Sequence, residues 1–213
     1  MRLFCVAVVL GVISPPAYAF EPGSLGDAYR DFGYVQGCTD DGELPGCTII
    51  AGGSQFLAPY SGQTPADVFA ALKAMPPLAY VEFRGDILNM HDSYADIAVG
   101  AVAEADAGTD PYGDTIRAMQ GIWVSVDDPQ SVVQVVGLIW TDVYGGEAVS
   151  QSVMSFADAC SDGSEGGGAV MELFSIPPQD MPAMCYTDLY TDKARMKLSY
   201  MGRGNTLAYE RAK

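Results

Sequence analysis

Apolar and polar residues alternate with a period of two through most of the C-terminal half of this chain. In RMKLSYM, Met196, Leu198 and Tyr200 fall on one side while Lys197 and Ser199 fall on the other, the arrangement of a strand with one buried face. Eight such runs succeed one another: IWVSVD, SVVQVV, LIWTDVY, EAVSQSVMSFA, AVMELFSI, AMCYTDLY, RMKLSYM and NTLAYERA. The breaks between them, DDPQ, Gly137, GGE, DGSEGGG, PPQDMP, TDKA and GRG, carry turn-forming residues at hairpin spacing. Such short breaks leave no room for crossover helices, so an antiparallel meander is predicted. Closure into a barrel would remove its exposed edges. An open sandwich of two sheets fits the same strand count, and the barrel is preferred.

The first half has a different texture. GQTPADVFAALKAMPP predicts a helix with Thr64 as N-cap, Pro65 at the first helical position, Asp67 in the first turn and Pro76 and Pro77 ending it. LAYVEFRGDILNM suggests two short strands around Gly85 and Asp86, and DSYADIAVGAVAEAD reads as either a strand or a helix. DAGTDPYGD marks a boundary, with Asp110 and Pro111 opening a helical turn that runs to Met119. The expected fold class is therefore α+β: a small mixed region over residues 20–109, then an eight-stranded antiparallel up-and-down β-barrel over residues 110–213.

Residues 1–19 read as a secretory signal peptide cleaved after Ala19: Arg2, an apolar run from Leu3 to Ile13, and Ala17 and Ala19 spaced A-x-A. Ser14, Pro15 and Pro16 stop the run short of the ~20 residues a membrane span needs. A periplasmic or secreted protein without a membrane anchor is expected. Loss of the leader leaves Cys38, Cys47, Cys160 and Cys185, an even set suited to an oxidising compartment. Of the three possible pairings the two local ones, Cys38 with Cys47 and Cys160 with Cys185, are preferred. A metal site is not expected, since there is no C-x-x-C and a single histidine, and no cofactor is implied.

The 27 acidic against 11 basic side chains give a net charge of −16. That field repels nucleic acid and suits either a soluble surface or a basic partner. Lys193, Arg195, Lys197, Arg203, Arg211 and Lys213 are gathered at the C-terminal end.

A glycine-x-tryptophan on the first strand of an eight-stranded meander resembles the calycin superfamily, the lipocalins and their relatives. Gly121, Trp123 and Arg211 stand in the places that matter for this resemblance, preceded by a helical turn. The resemblance implies that the tryptophan closes one end of the barrel beneath an arginine from the last strand, a cation–π contact. It also implies an exported non-enzymatic protein binding a small apolar or amphipathic ligand at the barrel mouth, near Trp140 or Tyr144. The strands are short, and an eight-stranded barrel is either just filled by side chains or able to hold one small ligand. A filled interior would favour the alternative, a protein-binding module such as an inhibitor of a basic envelope enzyme of the lysozyme type.

Catalytic chemistry finds little support. His91, Asp92 and Ser93 are contiguous in NMHDSYAD, whereas the members of a catalytic triad meet across a fold. No G-x-S-x-G occurs, and neither SDGSEGGGAVME nor DACSDG keeps a calcium-loop register. Asp127 and Asp128 precede Pro129 as turn formers, and no residue is assigned a catalytic role.

Overall fold

Alternating burial folds the first half of the chain into a sheet that closes on itself. The structure, a computed structural model, describes residues 20–41, 45–178 and 181–212; the leader read at 1–19 lies outside the described residues. The first half comprises β1 (Asp27–Thr39), β2 (Gly46–Ala51), β3 (Ser54–Pro59), helix α1 (Ala66–Ala74), β4 (Tyr80–Met90) and β5 (Ala95–Glu104). Neighbours run β1-β2-β3-β5-β4, and β4 returns to pair with β1. β3 and β5 are parallel, which the intervening helix makes possible. A five-stranded closed barrel with a helix between its third and fourth strands has the topology of the OB-fold. Val35, Ile49, Phe56, Phe83, Ile97 and Val99 fill it, and Val68 and Leu72 of α1 pack onto the same cluster.

Three readings of this half are refined. DSYADIAVGAVAEAD supplies strand β5, because Ala95, Ile97 and Val99 share the barrel core at period two. LAYVEFRGDILNM forms one strand, with register shifts beside Gly85 and after Ile87 where two strands were expected. Thr64 does not cap α1. Pro65 occupies the N-cap position with no side-chain cap, and the buried Thr64 hydroxyl instead accepts a hydrogen bond from the Val99 N–H at 2.9 Å. β5 skips a residue against β4 at this point, and an unsatisfied N–H inside a barrel costs more than an uncapped helix end open to water.

The second half begins with a 3-10 turn (Ala107–Thr109) and helix α2 (Gly113–Met119). Eight strands follow: β6 (Gly121–Ser125), β7 (Ser131–Val136), β8 (Ile139–Tyr144), β9 (Glu147–Ala159), β10 (Glu165–Ser175), β11 (Met184–Thr191), β12 (Arg195–Tyr200) and β13 (Thr206–Arg211). All pairs are antiparallel between sequence neighbours, and β13 closes on β6. This is the eight-stranded antiparallel barrel expected from the alternation. Both preferred disulfides are present, Cys38–Cys47 across β1 and β2 and Cys160–Cys185 between the end of β9 and β11. They point to an oxidising, extracellular-type compartment.

Each barrel has its own core, and that of the second reaches into the first. Tyr34 and Ile50 of the first barrel belong to the same buried cluster as Leu138, Met154 and Trp140 of the second. Gln36 on β1 adds a polar link. Its Nε2 donates to Val136 O at 2.9 Å, and its Oε1 accepts from Leu138 N at 3.0 Å. One amide thus satisfies both backbone groups flanking the β7–β8 turn.

Candidate functional site

The barrel end marked by the glycine-x-tryptophan is built from three elements. Trp123 on β6 is wholly buried, and its Nε1–H donates to Met119 O, the last residue of α2, at 2.7 Å. The Arg211 guanidinium carbon stands 4.1 Å from the centre of the Trp123 ring. Its nitrogens donate to three carbonyls: Nε to Lys193 O at 2.9 Å, Nη1 to Gln120 O at 2.6 Å and Nη2 to Ala118 O at 3.0 Å. Gly121 has φ of +116°, and a Cβ there would lie 2.7 Å from Nη1. Glycine is needed both for the backbone angle and for the approach of the arginine. These groups tie α2 and the β11–β12 turn to the barrel, and their donors and acceptors are used among themselves.

The barrel interior is filled. Trp123, Val133, Val135, Trp140, Met154, Met171, Leu173, Met196 and Leu198 are all buried in one cluster. Trp140 meets Tyr209 edge to face, with ring centres 6.4 Å apart. The Trp140 Nε1–H donates to Asp142 Oδ1 at 3.0 Å, and Asp142 Oδ2 accepts from Ser150 Oγ at 2.6 Å. Trp140 is therefore a packed core residue with a satisfied polar atom. Tyr144, at the end of β8, is half exposed. The structure does not bring these two residues to a common cavity, and neither lines the spaces at the seam between the barrels.

A wide concavity lies at that seam. A cleft of about 510 Å³ runs between β3 with the β4–β5 turn on one side and Val153 of β9 with the end of β10 on the other. Phe56, Tyr94, Phe174, Ile176, Met90 and Met181 supply its apolar surface. The β2–β3 turn forms part of its wall: Gly53 has φ of +79°, and a Cβ there would stand 2.5 Å from the Phe174 ring. That contact presses the first barrel onto the second. A second concavity of about 360 Å³ shares Gln55, Ser93, Tyr94 and Ile176 with the first and extends it along β3.

His91, Asp92 and Ser93 all sit on the cleft rim in the β4–β5 turn. They form no relay with one another. The His91 ring stacks on Tyr94, with centres 4.3 Å apart, and its Nε2 lies 2.9 Å from Asp96 Oδ2 on β5. The Ser93 carbonyl accepts from Gln55 Nε2 at 3.2 Å. The imidazole is thus held in a fixed orientation at the edge of an apolar cleft, a polar handle more than a base aimed at a nucleophile. Among the described residues no group of three His, Cys, Asp or Glu side chains is placed to hold a metal ion.

Sequence reading missed the seam. Phe174 of β10 reads as ordinary strand interior, no element is read over β2 and β3, and nothing in the local pattern says that two sheets end against each other. The one available signal is Gly52 and Gly53, a tight-turn pair between β-rich runs.

No family model, curated protein or solved structure gives a significant match to this chain. The eight-stranded closed barrel is compatible with a calycin-like fold.

Proposed function

We propose that this chain is an exported, non-enzymatic binding protein of calycin-like build that takes a small apolar or amphipathic ligand in the cleft between its two barrels. The observation that carries this reading is the contrast between a barrel packed solid and a seam left open. A cleft of about 510 Å³ with an aromatic and aliphatic lining and a few fixed polar groups matches the usual form of a small-molecule site. On the side of the first barrel it is formed by β3 and the loop after β4. The ligand position thus moves from the barrel mouth, where Trp140 and Tyr144 were expected to serve, to the seam. His91, oriented by Asp96, supports recognition of a polar end group.

The test uses the disulfide-bonded chain with N-phenyl-1-naphthylamine, a neutral apolar probe, followed by its fluorescence. Saturable binding is expected. Met90 and Met181 are exposed on the cleft rim, so replacing both by glutamate should leave the fold intact and weaken the probe by about tenfold. Failure to retain the probe, or equal retention by the double variant, overturns the reading. The filled barrel and the net charge of −16 favour a second reading, a module that docks on a basic envelope enzyme. Unchanged rates of lysozymes of several types in the presence of the purified chain would remove it.

A further inference from the structure

We propose that a separate, smaller cavity at the seam, ringed by Phe32, Tyr34, Tyr80, Tyr112 and Phe156 beside the Asp110 carboxylate, binds a small organic cation of the alkylated-ammonium class. This pocket holds about 200 Å³ and has only Gly53 in common with the larger cleft. Five aromatic rings in so small a space are its first notable feature. Three come from the first barrel, where Tyr80 packs against both Phe32 (5.8 Å between centres) and Tyr34 (5.1 Å). The other two, Tyr112 and Phe156, face each other at 6.0 Å on the second. Ring faces carry negative charge density, and a cage of them prefers a diffuse, weakly hydrated cation to a compact metal ion.

The electrostatic setting has the same sign. Asp110 Oδ1 accepts from the Tyr34 hydroxyl at 2.5 Å and from Tyr112 N at 3.0 Å, while its Oδ2 is enclosed without a hydrogen-bond partner. Oδ2 packs beside Gly113, so it acts on the pocket through its field and not as a direct ligand. Arg117 pairs with Asp114 at 2.9 Å, and its Nη2 also lies beside Gly113 next to Asp110 Oδ2, where it offsets part of that field; no Lys or Arg lines the pocket among the described residues. Tyr112 in turn donates its hydroxyl to Asp158 at 2.9 Å. A phenol that donates to a carboxylate carries a more electron-rich ring, so both hydrogen bonds strengthen the attraction of the cage for a cation. Burial is the first cause that raises the Tyr34 and Tyr112 hydroxyls above their ordinary titration, and the two carboxylates add to it. The rings stay as neutral phenols throughout the physiological range.

The experiment titrates the disulfide-bonded chain with choline, tetramethylammonium and 3,3-dimethylbutan-1-ol, the uncharged isostere of choline, reading the shifts of aromatic proton resonances. Saturable shifts with both cations are expected, with the isostere weaker by about tenfold or more. Tyr112→Leu and Phe156→Leu should each weaken choline by about threefold to tenfold. Asp110→Asn should weaken it further. Because Asp110 also braces the start of α2, Asp158→Asn, at the exposed acceptor of the Tyr112 hydroxyl, serves as the control for a folding defect and should show a smaller loss in the same direction. Arg117→Gln should tighten choline or leave it unchanged. Equal binding of choline and its neutral isostere would overturn the proposal, as would the absence of any saturable shift, an outcome in which the cavity holds water alone. Displacement of choline by sodium chloride at matched concentration would overturn it too.

Discussion

Replacing Arg211 should loosen the second barrel at a single point. The guanidinium lies 4.1 Å from the centre of the Trp123 ring and donates to the carbonyls of Ala118, Gln120 and Lys193. A hydrogen bond from a charged donor contributes about 1.5–3 kcal/mol when desolvated, and the cation–π contact about 0.5–2 kcal/mol. Arg211 is partly exposed, so the lower ends apply and the three bonds do not simply add. Arg211→Ala is expected to cost about 4 kcal/mol. Arg211→Lys keeps the charge but cannot fork toward three acceptors, and should cost about 2 kcal/mol. Both tryptophans of the chain lie in the second barrel, so urea unfolding followed by tryptophan fluorescence reports on this barrel directly. Gly121→Ala supplies the cross-check. In the parent it suffers both the φ of +116° and a clash at 2.7 Å with Nη1, whereas in Arg211→Ala the clash disappears and only the backbone strain of about 1 kcal/mol remains. A loss below about 1 kcal/mol for Arg211→Ala, or strict additivity of the pair, would refute the structural role argued for this contact.

Gly53→Ala should be destabilising by about 1–3 kcal/mol, since a Cβ would meet the Phe174 ring at 2.5 Å and φ is +79°; a thermal midpoint equal to the parent's would contradict this. Replacing Cys160 and Cys185 by serine opens a loop with a sequence separation of 25 and should cost about 3–4 kcal/mol in the chain-entropy account, readable as a shifted urea midpoint with the fluorescence of the folded state retained. Alkali should weaken the second barrel. Burial, and then the Asp142 charge, push the Tyr186 hydroxyl from the ordinary tyrosine value of about 10 up to about 12. The unfolded chain therefore gives up this proton before the folded one does. Stability is unaffected below pH 10 and falls as the pH rises from 10 towards 12. Phenolate absorbance at 295 nm should rise in two phases, the later one together with loss of the folded tryptophan signal. A single phase near pH 10 with the barrel intact would show that these tyrosines are not held as described.

Legibility differed between the halves for a physical reason. In the second barrel every strand pairs with its sequence neighbour, and only the closing β13–β6 pair is long-range, so local alternation and turn chemistry specify all of the meander but its closure. The eight runs read from the sequence correspond one to one with β6 to β13, and the two local cysteine pairings are those found. In the first barrel two of the closing contacts, β1 with β4 and β3 with β5, join segments far apart in the chain, and no local pattern announces them. Thr64 shows the same limit at one residue. It has the composition of a helix cap, yet the fold gives its hydroxyl to Val99.

The alternation of side chains, the turn residues between runs and the even set of cysteines determined that the C-terminal half is an antiparallel meander fastened by a disulfide, because each of these acts between near neighbours in the chain; its closure into a ring joins β13 to β6 across the whole half and was decided by tertiary structure. Packing alone decided that Trp140 fills the ring instead of lining a cup, and that an open cleft and an aromatic pocket lie where two barrels meet. Those features depend on how side chains from distant strands share volume, a quantity set by tertiary contact and invisible to any local period.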